Sequence, residues 1–437
     1  MNPYLLIIAL ASVIILSFFF NIISQKTNIP SVLLLIALGM GAKVAMEQLG
    51  ILNEDLKLNT ILEVLGNVGL VMIVLEAALD LKLEMDKMWL IIKSFASALL
   101  SIGGTMFGIG GFFMYIFPSA GLFQCLLYAM PLSIMSSAII IPSVGRLIGH
   151  KKEFMVYEST FSDILGIMIF YFMLGADANA GQGSIAWGII LNILGTLILS
   201  ILVAYVMVYL FQHLKMQVKL FLIIAVLLML FAIGKYFHLS SLLIILAFGL
   251  VLNNTDIFFR GFLKKHFDKN AVAPILHDFH SLTLESAFLI RTFFFVVFGL
   301  SITISSLYNI EVAVNSLAIV GIIYSVRLLT LRIFAKEHIR PEVYIAPRGL
   351  ITVLLFFVLI KHDEVAIEAF DAGLLLYPIL ITSFIMMISL IIYRGEKVTD
   401  VLLNKISPEN REEHEGRIRE NIERMDFDGF SNKESKE

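Results

Sequence analysis

Charge is scarce in this sequence: Asp, Glu, Lys and Arg make up 15% of 437 residues, where soluble domains carry about 25%. That shortfall excludes an ordinary soluble fold. Cysteine is nearly absent, and the lone Cys125 supports neither an intrachain disulfide nor a cysteine metal cluster. It reads as a small packing residue. The first apolar run has no basic stretch before it and no small-residue cleavage site, so it is expected to be a span and not a removable leader. No His-Glu-x-x-His, Gly-x-Ser-x-Gly or paired catalytic aspartate motif falls in an apolar segment. The expectation is therefore no enzyme, no cofactor and no nucleic-acid partner. Histidines such as His150, His213, His266, His277 and His280 sit mainly in loops and read as solvated.

Apolar length is what the chain has instead. Hydrophobic residues reach 59%, and continuous runs long enough to cross a bilayer recur from Pro3 to Tyr393. Continuous runs exclude a β-barrel, whose strands alternate. The reading is an all-α polytopic membrane protein of about thirteen spans. Their expected bounds are roughly 3–23, 30–48, 60–80, 89–117, 121–148, 152–176, 184–211, 217–235, 239–254, 274–303, 309–335, 341–361 and 370–394. Alternate loops collect the basic residues, among them Lys87, Lys93, Arg146, Lys152, Lys264, Lys265, Lys336 and Arg340. The opposite loops hold only Lys43, Lys57, Lys235 and Lys361, which selects an outside N-terminus and an inside C-terminus. Residues 1–395 form the transmembrane domain, and the charge-rich 396–437 reads as a soluble cytoplasmic tail.

Few ionisable residues fall within spans: Glu63, Glu76 and Asp80 on the third, Glu158 and Asp163 on the sixth, Glu285 and Arg291 on the tenth, Arg327 on the eleventh and Arg348 on the twelfth. A carboxylate at the bilayer centre costs at least ~2.5 kcal/mol and marks a functional candidate by default. Glu76 and Asp80 lie near a span end and read as a solvated mouth. Arg327 is placed to snorkel. Glu285 and Arg291 are six residues apart, so each is expected to find a partner on another helix.

The sixth span differs. At about 100° per residue, Ser159 and Thr160 share a face with Asp163, with Ser162 adjacent, while Glu158 turns about 140° away. Asp163 among hydroxyl oxygens suits a hard alkali cation, although a buried helix-capping role would also explain it. Glu158 needs its own countercharge, and Arg348 is the expected partner. Two spans are broken. The fifth contains Pro131 and Pro142 around Ser136 and Ser137, and the twelfth contains Pro347-Arg348-Gly349. With spans 1–6 and 8–13 as two units and span 7 as connector, both breaks fall fifth. Matched broken helices point to a transporter built from inverted repeats.

Glu158-Ser-Thr-Phe-Ser-Asp163 resembles the Glu-Ser-Leu-Leu-Asn-Asp signature of the monovalent cation:proton antiporter superfamily, sodium/proton exchanger type. Pro347-Arg-Gly349, the run from Phe293 to Ser301 and Leu75-Glu-Ala-Ala-Leu-Asp80 support the resemblance, which covers about residues 1–395. It implies that Asp163 binds cation and proton in turn, that Glu158 and Arg348 form a structural pair, and that Ser162, Ser159, Thr160, Ser136 and Ser137 surround the ion. It also implies a scaffold of about 3–80 and 217–303, a mobile core of about 89–176 and 309–394, a homodimer and a plasma-membrane (inner-membrane) location. Ser162 replaces the signature Asn, and the Thr-Asp-Pro of many exchangers is missing from the fifth span. Ser136-Ser137 is closer to the Ser-Ser-Thr of the potassium-efflux branch. Electroneutral exchange of Na+ for H+ is expected, with K+ (or Li+) exchange or a cation channel as alternatives.

Overall fold

A computed structural model of the chain describes residues 3–27, 31–48, 58–144, 149–175, 219–236, 241–254, 269–301, 309–334, 339–360 and 373–403, with isolated positions between them. Among the described residues every extended element is an α-helix. The helices are α1 (Pro3–Thr27), α2 (Ser31–Gln48), α3 (Leu58–Asp80), α4 (Met88–Ile116), α5 (Leu122–Ser133), α6 (Ser137–Ser143) and α7 (Gly149–Gly175). After these come α8 (Lys219–Tyr236), α9 (Ser241–Asn253), α10 (Lys269–Ser301), α11 (Ile310–Phe334), α12 (Leu350–Ile360) and α13 (Gly373–Leu403). Eight described segments are long and apolar enough to span a membrane. The expected span at 184–211 lies, apart from a few isolated positions, outside the described residues, as does most of the tail. The last helix continues ten residues past the point where apolar sequence stops at Tyr393, because Arg394–Leu403 contains no proline and only one glycine.

The two broken spans take the form their prolines dictate. The fifth divides into α5 and α6 on either side of extended Ile134 and Ser136. The twelfth runs as a short 3-10 turn at Glu342–Tyr344 and irregular backbone before α12 begins at Leu350. Glu285 is exposed.

The helices pack in two groups. In one, α2 and α3 lie against α10, α9 packs on α3 and α8, and α1 rests on α2 and α10. In the other, α4 contacts α5, α7 and α11, α13 lies against α11, α6 packs on α7, and α12 touches α5. The groups meet where α3, α7, α9 and α12 approach one another. Close contact of α2 with α10 rests on two glycines: a Cβ at Gly39 would sit 2.9 Å from the Gly299 Cα, and one at Gly299 3.0 Å from the Gly39 Cα. Small residues let helix backbones approach where water supplies no hydrophobic drive.

Residues 81–87 join the groups. Asn254, at the end of α9, holds this linker from one side by accepting the Leu83 N–H at 2.6 Å and donating to the Leu81 carbonyl at 2.9 Å. From the other side the Tyr157 hydroxyl donates to the Lys82 carbonyl at 2.8 Å. Lys87 bridges Glu153 at 2.8 Å and Glu84 at 2.9 Å, and these hydrogen bonds, that to Glu153 first, raise its pKa above the ordinary lysine value.

Candidate ion site

The site forms where the two breaks cross. The Ser136 N–H donates to the Pro347 carbonyl at 3.0 Å, pinning one interrupted backbone to the other. Only glycine fits at position 349, since a Cβ there would lie 2.8 Å from the Ser136 Cβ. Arg348 is buried at the crossing and donates through Nε to the Leu132 carbonyl at 2.5 Å, at the open C-terminal end of α5. Its Nη1 reaches the Ala346 carbonyl at 3.2 Å, and its backbone N–H donates to the Thr382 hydroxyl at 3.1 Å. A guanidinium here offsets the partial negative charge that a helix C-terminus carries.

Asp163 projects from α7 into this crossing and is buried. One carboxylate oxygen, Oδ2, accepts the Ser137 hydroxyl and the Ser137 backbone N–H, the latter at 3.2 Å. The other oxygen, Oδ1, is buried with no hydrogen-bond partner among the described residues, and so is the Thr160 Oγ1. Thr160 lies three residues before Asp163, on the same helical face. Two uncompensated oxygens on one buried face make a donor set for a cation, because unpaired buried polar atoms are costly.

The remaining residues singled out in the sequence divide differently. Ser162 accepts the Met135 N–H at 3.0 Å and so braces the break. Ser159 donates to the Val156 carbonyl of its own helix at 3.2 Å. Ser136 contributes through its backbone, as above.

Glu158 does not pair with Arg348. Its Oε1 lies 2.6 Å from the Arg327 Nη1 and accepts the Ser97 hydroxyl at 2.5 Å. Arg327 does not snorkel either; it is 1% exposed and also donates to the Glu342 carbonyl at 3.3 and 3.2 Å. The physical reason is tertiary. Packing of α11 against α4 buries Arg327 beside Glu158, while backbone carbonyls already take up the Arg348 charge.

A cavity of about 290 Å³ opens onto the site from one side, lined by Glu76, Asp80, Ser137, Ala138, Arg291 and Thr292 among others. Within it the Arg291 Nη2 lies 3.0 and 3.1 Å from the two Glu76 oxygens. Asp80 pairs with the His280 Nε2 at 2.8 Å. Ser137 thus faces the cavity and touches Asp163.

Residues 10–393 match the model of the sodium/hydrogen exchanger transmembrane family. The chain belongs to that family. Among solved structures, the sodium proton antiporter MjNhaP1 from Methanocaldococcus jannaschii at pH 8 is similar at 20% identity and a TM-score of 0.66, covering 90% of this chain and 96% of that one. An electron-microscopy map of the same antiporter matches at 19% identity and a TM-score of 0.65, covering 93% and 100%. These likenesses carry the fold. No curated protein matches the sequence.

The exchanger is thus a multi-pass membrane transporter, not an enzyme, and its reaction class is cation/proton antiport. Two hydroxyls escape sequence reading, Ser97 beside Glu158 and Thr382 beside Arg348, whereas Arg291 finds the partner on another helix that was expected of it, Glu76 of α3. Ser97 and Thr382 are single hydroxyls in apolar helices, with nothing local to distinguish them. Arg291 has a second contact, because Pro142 lacks an N–H and leaves the Ala138 carbonyl without its helical donor. The Arg291 Nη1 approaches that carbonyl at 3.5 Å.

Proposed function

We propose that this exchanger carries a monovalent cation, Na+ first among candidates, against H+ by alternating access, with Asp163 as the shared site. The observation that carries the reading is a half-satisfied carboxylate with no basic partner: Ser137 occupies Oδ2, while Oδ1 and the Thr160 hydroxyl, three residues earlier on the same helix, are buried without partners among the described residues. A cation or a proton neutralises that oxygen, but not both together. A bare carboxylate cannot cross a low-dielectric barrier, so the site moves only when loaded with one or the other. Exchange follows from that constraint.

In this reading α4–α7 and α11–α13 move as a core against a scaffold of α1–α3 and α8–α10, and two scaffolds meet in a homodimer. The basic loops face the cytoplasm, as does the C-terminal tail, in the plasma membrane. Asp80 lies at the cytoplasmic end of α3, so the cavity is the inward-facing approach. Potassium is the second candidate, on a specific observation: Ser162 supports the break and not the ion, and no second aspartate stands in α6.

The test is dissipation of a pH gradient in proteoliposomes on addition of Na+, K+ or Li+. Saturable dissipation is expected, strongest with Na+, and Asp163→Asn should fold normally yet show none. Cation-coupled proton flux retained in that variant would overturn the site, and an ohmic current would favour a channel.

A further inference from the structure

Glu76 and Arg291 face the same cavity as Ser137, and therefore stand in front of Asp163. Their contact is close on both carboxylate oxygens, and each side chain is 16% exposed. Arg291 is held on two sides. It grips Glu76 on α3, and its Nη1 reaches the Ala138 carbonyl of α6, which Pro142 leaves free. Among the described residues its Nε is buried without a partner, and Glu76 is the carboxylate its guanidinium meets. Were Glu76 free, the cavity wall would present it one helical turn from Asp80, which lies against His280, on the approach to Ser137 and Asp163. Two carboxylates with hydroxyl and carbonyl oxygens nearby are what a hard divalent cation requires.

We infer that Arg291 is a specificity-determining residue: by holding Glu76 as a neutral pair, it denies divalent cations a site in the cavity and leaves Asp163 to a single monovalent ion. Arg291 acts through Glu76 and does not touch the transported ion. This rests on Asp163 being the transport site. Arginine suits the task because it stays charged at any accessible pH, and one nitrogen, Nη2, reaches both Glu76 oxygens.

The experiment is sodium-driven pH-gradient dissipation by the full chain in proteoliposomes, over a Na+ series with and without Ca2+. Wild-type exchange should be indifferent to Ca2+. In Arg291→Gln, Ca2+ should raise the apparent KM for Na+ on the order of tenfold, the scale on which an uncompensated charged cleft concentrates counter-ions, while kcat holds. Arg291→Lys should restore indifference, and so should Glu76→Gln/Arg291→Gln, which removes both charges. Glu76→Gln alone leaves the guanidinium unpaired in the cavity and should raise KM for Na+ without any Ca2+. Active Arg291→Gln that ignores Ca2+, or a double variant as sensitive as the single one, would overturn the inference. If Arg291→Gln fails to insert, an unchanged KM in Glu76→Gln overturns it. Absence of exchange in the wild-type vesicles would strike the antiport reading instead.

Discussion

Arg327 and Glu158 form a fully buried ion pair within the second helix group, 2.6 Å apart and shielded from solvent. The same Glu158 oxygen accepts Ser97 from α4, and the same guanidinium caps the Glu342 carbonyl. Glu342 in turn binds Lys151 at 2.8 Å. One network therefore ties α4, α7 and α11 to the backbone leading into the second break.

Breaking that pair on one side should be far worse than removing it whole. Arg327→Met strands a buried carboxylate and is expected to cost about 3–5 kcal/mol. Glu158→Gln/Arg327→Met should recover much of the loss, since no charge remains uncompensated. Thermal unfolding of the purified variants in detergent reads the difference. A double variant no more stable than Arg327→Met would show that the energy lies in the Glu342 contacts.

Helical phase separated the two acids of α7 without any structure: they are five residues apart, and Glu158 and Asp163 do meet different partners. Among the described residues the helices were equally legible, eight of them as segments apolar enough to cross a bilayer, because a bilayer demands about twenty apolar residues whatever the fold. Helix breaks showed through proline. Partner choice did not. Arg327 and Arg348 are both deep, both arginine, and differ only in what α4 and α5 bring to them, which is tertiary information. Likewise Glu76 and Asp80 read as a solvated mouth, whereas Glu76 is mostly buried against Arg291.

The α2–α10 contact offers a test with its own control. A Cβ at Gly39 would collide with the Val296 carbonyl oxygen, a backbone atom that cannot rotate away, whereas Gly41 has nothing within 4 Å. Gly39→Ala should destabilise the protein by about 1–3 kcal/mol, as overpacking does. Gly41→Ala should be neutral or stabilise by about 0.5–1 kcal/mol from helix preference. Unfolding temperatures of the two variants, measured side by side, decide it.

Arg348→Lys keeps the charge but loses the fork. One ammonium cannot reproduce the separate contacts of Nε with the Leu132 carbonyl and Nη1 with the Ala346 carbonyl. Hydrogen bonds involving a charged group are worth about 1.5–3 kcal/mol each, so the crossing should loosen. The expected outcome is a folded protein with a lower unfolding temperature and a reduced kcat, because the loosened breaks no longer hold Ser137 against Asp163. Wild-type kcat in Arg348→Lys would show that charge alone suffices at the crossing.

Charge accounting leads to the last prediction. Glu158 is neutralised by Arg327, Glu76 by Arg291, and Asp80 sits against His280 at the mouth of the cavity. That leaves Asp163, among the described residues, as the buried carboxylate at the crossing with no basic partner. One carboxylate holds one monovalent cation or one proton, so the loaded site is neutral in both directions of travel. Exchange should then be electroneutral. In proteoliposomes clamped with a potassium gradient and valinomycin, the initial rate of sodium-driven proton flux should not change with membrane potential. A net charge crossing the membrane would feel about 2.3 kcal/mol per 100 mV, enough to alter the rate severalfold. A rate that rises with an applied potential would mean that a second charge moves with the site, and Glu76 released from Arg291 would be the first residue to test for it.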